Sequence, residues 1–165
     1  MRDGRGLIGD SNYIDAGYSP NWNVALGYQN HCGNQGSVAL GYQNTAISIG
    51  GFAAGYKNKA RGQFGTMAIG YETIASASTS QFVCGLFNLE DSQRTYPIII
   101  GNGTHTSARA NGLTIDTAGN VAIQGTLSSS GADYAEYFEW ADGNPLNEDR
   151  VGLLVCLEGN KIRLA

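Results

Sequence analysis

The sequence predicts an all-β fold, a β-solenoid built from short repeats, and three observations support this prediction. The segments NVALGYQN (23–30) and SVALGYQN (37–44) agree at seven of eight positions. Weaker copies follow as FAAGY (52–56), MAIGY (67–71) and FVCGL (82–86). A period of about 14 residues is too short for a helix pair, but it accommodates two short strands and two tight turns. The glycines that mark the period step by 14, 14, 15 and 15 residues: Gly27, Gly41, Gly55, Gly70 and Gly85.

Each repeat alternates bulky and small residues with the period of two that is typical of a strand. In VALGY, Val38, Leu40 and Tyr42 share one face, while Ala39 and Gly41 share the other. We expect the small face to line a very thin coil, because glycine and alanine let neighbouring backbones approach closely. The bulky face then needs another cover, which favours several chains around a common axis, with three as the expected number.

Composition excludes several classes of function. The formal net charge is -4 and no basic stripe is present, so nucleic acid is not an expected partner. No apolar run reaches the length of a membrane span, so no membrane insertion is expected. The cysteines and histidines lack the spacing of a disulfide framework or a metal site, and no cofactor or metal is predicted. These residues are Cys32, Cys84, Cys156, His31 and His105, the last of which we expect to cap a turn.

Tyrosines follow the repeat glycines and should form a ladder along the coil. A regular ladder is typical of structural packing, but exposed tyrosines also bind sugars, so a glycan-binding interpretation stays open. The ladder residues are Tyr28, Tyr42, Tyr56 and Tyr71, with Tyr18 as a candidate for its beginning.

After residue 87 the period stops and a different pattern begins. The run YPIIIGNGT (96–104) is β-branched and closed by a turn. The stretch 113–127 predicts two strands, Leu113–Asp116 and Val121–Ile123, joined by a hairpin turn. The last 15 residues, 151–165, predict a strand, a Glu-Gly-Asn turn and a second strand.

The segment 128–152 is acidic and aromatic. Asp133 and Glu136 are three residues apart and would share one face of a helical turn, where one could act as a base and the other as an acid. Spaced carboxylates are common, so a solvated acidic face is the competing interpretation. Further carboxylates nearby offer the same chemistry: Glu139, Asp142, Glu148 and Asp149.

Several motifs resemble known families. The repeats of residues 20–87 are similar to the heads of trimeric autotransporter adhesins and to phage tail-appendage shafts, which implies a trimeric left-handed β-roll. GLTID and GNV at 112–121 resemble the connector before C-terminal chaperone domains of phage fibres. ADYAEYFEW, DGNP and DRVG at 132–152 closely resemble the start of the intramolecular chaperone domain of phage pre-neck appendage proteins.

The last resemblance implies an intramolecular glutamic-type peptidase. In that family the chaperone domain helps three chains to fold and then cuts itself off. The motif carries the cleavage site over to the bond between Ala132 and Asp133, and it carries the catalytic residues over to Asp133 and Glu136. Glu136 would be the general base. The family has a serine where this chain has Ala132, which excludes an ester route there, and the family's domain extends beyond residue 165.

These expectations combine into one predicted organisation and function. The modules are a cap or linker (1–19), the repeat shaft (20–87), a β neck (88–127) and the start of a chaperone domain (128–165). We expect a phage or prophage tail or neck appendage in the virion, made in the host cytoplasm, that binds a host surface receptor, with glycans among the candidates. Self-cleavage is its one expected enzymatic activity. The alternative is a bacterial trimeric adhesin head, which would continue into a heptad stalk. A glycan-degrading tailspike is disfavoured because it needs paired carboxylates on the shaft, and residues 20–87 contain one acidic residue, Glu72.

Overall fold

The computed structural model describes residues 5–15, 22–126 and 137–165. The described residues are all-β without a helix, and they include a β-solenoid of about six turns. The prediction of an all-β solenoid is therefore confirmed. The chain divides into two compact units, residues 1–127 and 128–165, and each unit is described by itself.

The first unit is organised around a long sheet whose parallel strands are in register. Each strand pairs with the next along the chain, and the repeat glycines align from Gly9 and Gly27 through to Gly101. Numbered in chain order, these strands are β1 (Arg5–Asp10), β3 (Asn23–Tyr28), β5 (Val38–Tyr42), β7 (Phe52–Tyr56), β9 (Met67–Tyr71), β11 (Phe82–Leu86) and β12 (Ile98–Asn102).

A second parallel sheet of two-residue strands forms the other side of the coil. Its order follows the chain, so each of the first five coils contributes one long strand and one short strand. The short strands are β2 (Tyr13–Ile14), β4 (His31–Cys32), β6 (Thr45–Ala46), β8 (Lys59–Ala60) and β10 (Ile74–Ala75).

The interior between the two sheets is lined by small residues. Each long strand from β3 to β12 has one fully buried apolar side chain, and these meet buried residues of the short strands. This confirms that the alanine face points inward and the bulky face outward. The inward residues of the long strands are Ala25, Ala39, Ala53, Ala68, Val83 and Ile99.

The repeat glycines are required for a reason other than interior packing. We expected Gly41 to share the buried face with Ala39, but Gly41 is exposed. Its φ is 110°, a backbone conformation that side chains rarely adopt, and a Cβ there would lie 2.3 Å from the carbonyl oxygen of Gly55 in the next coil. The glycine therefore allows the strand to turn a corner while adjacent layers stay in contact.

A buried asparagine completes each corner, three residues after the glycine. Asn44 donates its backbone N–H and its side-chain amide to Oδ1 of Asn30, at 3.0 and 3.1 Å. The same amide donates to the carbonyls of Leu40 and Gly55, both at 2.8 Å. Oδ1 of Asn44 in turn accepts from the backbone and side chain of Asn58.

These asparagines form a continuous ladder from coil to coil. Asn12 accepts from Asn30 at its beginning, and Thr73 replaces asparagine after Asn58, donating its N–H and hydroxyl to Oδ1 of Asn58. The ladder residues from Asn30 onward are fully buried. Peptide groups at this corner, such as the carbonyls of Leu40 and Gly55, thus obtain partners from fully buried side chains.

The neck covers the C-terminal edge of the solenoid. Strand β13 (Asn111–Ile115) pairs antiparallel with β12, and β14 (Val121–Ile123) pairs antiparallel with β13. The predicted hairpin over residues 113–123 is confirmed. Arg109 closes the corner, because its guanidinium donates to the carbonyls of Glu72 and Asn88 and lies over the ring of Phe87.

The second unit contains a small three-stranded sheet. Strand β15 (Glu139–Trp140) pairs parallel with β17 (Lys161–Leu164), and β17 pairs antiparallel with β16 (Val155–Glu158). The predicted strand, turn and strand at the end of the chain are therefore present.

The ladder predicts that Asn44→Ala destabilises the fold strongly. Alanine leaves buried donors and acceptors of Asn30, Asn58 and Gly55 without their partner, which we expect to cost about 3 kcal/mol or more in free energy of unfolding. Urea unfolding at fixed protein concentration measures this. Gln43→Ala is the matched control, because Gln43 makes its side-chain contact at the surface and should change stability by less than about 0.5 kcal/mol. Equal effects of the two substitutions would contradict the role of the ladder.

Candidate functional site

The predicted cleavage residues lie outside the described part of the chain. Ala132, Asp133 and Glu136 therefore stay predictions, as does Tyr18 at the start of the tyrosine ladder. The second unit is described from Tyr137, the residue that directly follows Glu136, and β15 begins two residues later.

A shallow depression lies beside β15. Glu139 and Lys161 face each other across the β15–β17 pair, with their carboxylate and ammonium groups 3.3 Å apart. The depression is lined by Tyr137, Glu139, Trp140, Asn144, Asn147 and Lys161. It is an open, polar surface, and within the described residues it holds one ion pair.

The best-organised cluster of this unit is built around Arg150. Its guanidinium donates to both carboxylate oxygens of Asp142, at 3.0 and 2.8 Å, and also to Glu148, at 3.0 and 2.9 Å. It lies 4.5 Å from the centre of the Trp140 ring, a cation–π contact. Although its partners are exposed, the Arg150 side chain itself is only 10% exposed.

This cluster fixes the charge states of its members. Hydrogen bonds from Arg150 lower the pKa of Asp142 to about 2, and the two carboxylates raise the pKa of Arg150 further. A carboxylate with such a low pKa is a poor proton carrier near neutral pH. The four carboxylates that competed with the predicted pair all have partners, since Glu139 binds Lys161 and Asp149 accepts the N–H of Val151.

The tyrosine ladder of the first unit is confirmed as a stack. Successive ring centres are 5.2, 5.0 and 4.5 Å apart from Tyr28 through Tyr42 and Tyr56 to Tyr71, and Phe87 ends the stack edge-on. Because the ring faces cover one another, only edges and hydroxyls face outward. A sugar that binds by stacking on an aromatic face would find little of that face accessible here.

No group of three or more potential metal ligands occurs among the described residues. His31 is 3.2 Å from Asp15 and packs near the ring of Tyr13. Nδ1 of His105 lies 3.0 Å from the hydroxyl of Ser107 and accepts its backbone N–H, so this histidine does cap a turn as expected. In residues 5–15, 22–126 and 137–165, no helix is long and apolar enough to cross a membrane.

Comparison with known families then gives one match. Residues 85–165 match the family model of the Peptidase_G2, IMC autoproteolytic cleavage domain. No curated protein and no solved structure matched the chain. The matched range is just under half of the chain, and it begins in β11, so the similarity is not confined to residues 133–165. It supports a self-cleaving chaperone domain in this part of the chain.

Sequence reasoning assigned no role to Arg150. The available signal was its position as the one cationic residue between Tyr137 and Val151, after a run of carboxylates. Trp140 anchors this cluster through the contact of its ring with the guanidinium of Arg150. Trp22, the other tryptophan, is 64% exposed.

The Arg150 cluster predicts a pH-dependent stability. The pKa of Asp142 is depressed from 3.8 to about 2 on folding, so ionised Asp142 stabilises the unit above about pH 4, and this contribution is lost as the pH falls towards 2. Arg150→Met should lower the urea midpoint at pH 6 and reduce its fall on acidification. Trp140 fluorescence in a Trp22→Phe chain measures both quantities.

Arg163→Met is the matched control for this test. Arg163 contacts Glu158 at 3.9 Å, and both side chains are more than half exposed, so little stability should depend on that pair. An Arg150→Met chain with the midpoint and pH dependence of the parent would show that the cluster does not hold the unit together.

Proposed function

We propose that this chain is a segment of a trimeric appendage fibre of a phage or prophage tail or neck. Its C-terminal part would be an intramolecular chaperone that assists trimer assembly and is removed by self-cleavage between Ala132 and Asp133. The observation that carries this proposal is the match of residues 85–165 to an autoproteolytic chaperone cleavage domain. A parallel solenoid immediately before that domain is the kind of product that such a chaperone would leave behind.

The proposed cleavage is hydrolysis of one peptide bond. Glu136 takes a proton from water as the water oxygen attacks the carbonyl carbon of Ala132. The bond to the nitrogen of Asp133 then breaks, and that nitrogen receives a proton, for which Asp133 is the proposed donor or positioning group. Ala132 has no hydroxyl, so water is the nucleophile in this scheme.

The surrounding carboxylates support this choice of residues. Asp142 and Glu148 are bound to Arg150, and Glu139 is bound to Lys161. Their charges are already paired with cationic side chains of the same unit. The motif of Asp133 and Glu136 is thus preferred for proton transfer over the other acidic residues that the sequence offered.

The outer face of the long sheet supports assembly into a trimer. Val24 and Leu26 are 39% and 42% exposed, and apolar residues that are at least partly exposed follow in every later coil. An interior lined mainly by alanine provides little apolar burial, so a large gain is available from covering the outer face. Three copies around a common axis would cover it on every chain.

The place of this fibre in the virion, its synthesis in the host cytoplasm and its contact with a host surface receptor belong to the same proposal. A bacterial trimeric adhesin head is the second candidate, because coils of this kind suit both. An adhesin head gives no reason for a self-cleaving domain after the neck, so cleavage discriminates between the two.

We expect the purified chain to lose residues 133–165 on incubation, and intact mass spectrometry measures this. Glu136→Gln removes the base without changing shape and should leave the chain whole. Glu139→Gln is the matched control. Because Glu139 pairs with Lys161, the Glu139→Gln chain should cleave as the parent does. Cleavage at a different bond, or equal cleavage in Glu136→Gln, would contradict the assigned site.

Assembly is measured separately, on the uncleaved Glu136→Gln chain. Sedimentation equilibrium should give the mass of three chains, because the exposed apolar face is covered only in an assembly. Leu40→Asp places a charge on that face and should lower the assembled fraction at least tenfold. Lys59→Asp, on the short-strand side, is the control. A parent with the mass of one chain would overturn the trimer.

A further inference from the structure

The outer face of the long sheet carries two columns of side chains that follow the strands from β3 to β12. Neither column contains a charged residue, and the in-register pairing places one member of each column in every layer. The first column is Val24, Val38, Phe52, Met67, Phe82 and Ile98. The second column is Leu26, Leu40, Ala54, Ile69, Cys84 and Ile100.

The sizes in the two columns compensate each other layer by layer. Phenylalanine occurs twice in the first column, and the second column has its two smallest residues in the same layers, as Phe52 with Ala54 and Phe82 with Cys84. The other layers pair residues of intermediate size. A face in contact with water imposes no such limit on Ala54 or Cys84, whereas a packed interface does.

This face extends over six layers of the coil. Two partly exposed apolar side chains in each layer form a continuous apolar surface. A cyclic assembly gives each chain two interfaces, so one column would be covered at each of them. The absence of charge in both columns fits burial against an equally apolar surface, and the chain itself provides such a surface.

We propose that this face packs against a second copy of the same chain in register, the first column of one copy meeting the second column of the next. Phe52 then lies over Ala54 of the neighbouring copy, and Phe82 lies over Cys84. A cyclic assembly brings different columns together in this way at every interface. This inference rests on the trimeric assembly proposed above and adds the face and the register.

The compensation sets the register because a shift by one layer destroys it. A shift would pair each layer of one copy with the layer above or below it, about 4.8 Å away. Phe52 would then meet Leu40 or Ile69, and Phe82 would meet Ile69 or Ile100. Two large side chains would compete for one space, while Ala54 and Cys84 would face gaps.

A disulfide between one introduced cysteine and the native Cys84 tests the register. In a Cys156→Ser parent, Phe82→Cys places a thiol in the same layer as Cys84. Within one strand these two side chains are about 6.6 Å apart, beyond the Cβ separation of about 3.5–4.5 Å that a disulfide requires. A bond between them therefore joins two copies. We expect mild oxidation to convert most of the assembled chains into linked species on a non-reducing gel.

Two controls make the result specific. Met67→Cys in the same parent places the thiol one layer away, and it should link at least tenfold more slowly. The parent, which keeps Cys32 and Cys84, should stay unlinked. Absence of a link in a Phe82→Cys chain with the mass of three copies would overturn the proposal, and so would equal linking of Met67→Cys or linking of the parent. A parent with the mass of one chain would instead overturn the assembly itself.

A size exchange tests the same contact without cysteine chemistry. Ala54→Phe should reduce the assembled fraction at least tenfold, because two phenylalanines then meet. Adding Phe52→Ala to Ala54→Phe exchanges the two sizes and should restore assembly. Lys59→Phe, on an exposed position of β8, controls for the added apolar surface. Full assembly of Ala54→Phe, or failure of the double variant to recover, would count against the column pairing.

Discussion

The hydrogen bonds of the corner asparagines are the interaction on which the rest of the solenoid depends. The chain must turn sharply in every coil, and at that turn the strand leaves its ladder while still buried. The Asn44 side chain gives freed peptide groups partners in its own coil and in the next one, and it bonds the Asn30 side chain of the preceding coil. These hydrogen bonds offset the backbone strain of the glycine at positive φ and of the left-handed residue just before each asparagine. The tyrosine rings stack because all corners are superimposed.

In a coil this thin, small and large apolar side chains are distributed in the opposite way from an ordinary domain. Alanine fills the inside and the larger apolar residues lie outside. Close contact between backbones leaves little apolar area to bury within one chain, so most of the hydrophobic free energy is available only between chains. In the assembly proposed above, folding and association would therefore be coupled, which gives a physical reason for the proposed chaperone segment.

Much of the first unit was predictable because its signals are local and repeated. The period and the alternation in VALGY predicted the coil, the inward alanines and the tyrosine stack. The asparagine ladder was missed although asparagine stands three residues after the glycine in most coils, and Gly41 was assigned to the wrong face because positive φ leaves no trace in hydropathy. In the second unit, Arg150 was missed because Asp142 and Trp140, which the fold brings to it, lie eight and ten residues earlier in the chain. Asp133 and Glu136 came from resemblance alone, since spacing could not rank them above four other carboxylates.

Every coil pairs with the next in the same register, so the shaft is a stack of equivalent layers. Gly27, Gly41 and Gly55 are superimposed with their corner asparagines, so one repeat presents the same upper and lower surfaces as the next. Duplication or deletion of one 14-residue unit would lengthen or shorten the shaft by a single layer, about 4.8 Å, without disturbing the neck at its end. The length of such a shaft can therefore change in steps of one layer, while the residues at its two ends stay the same.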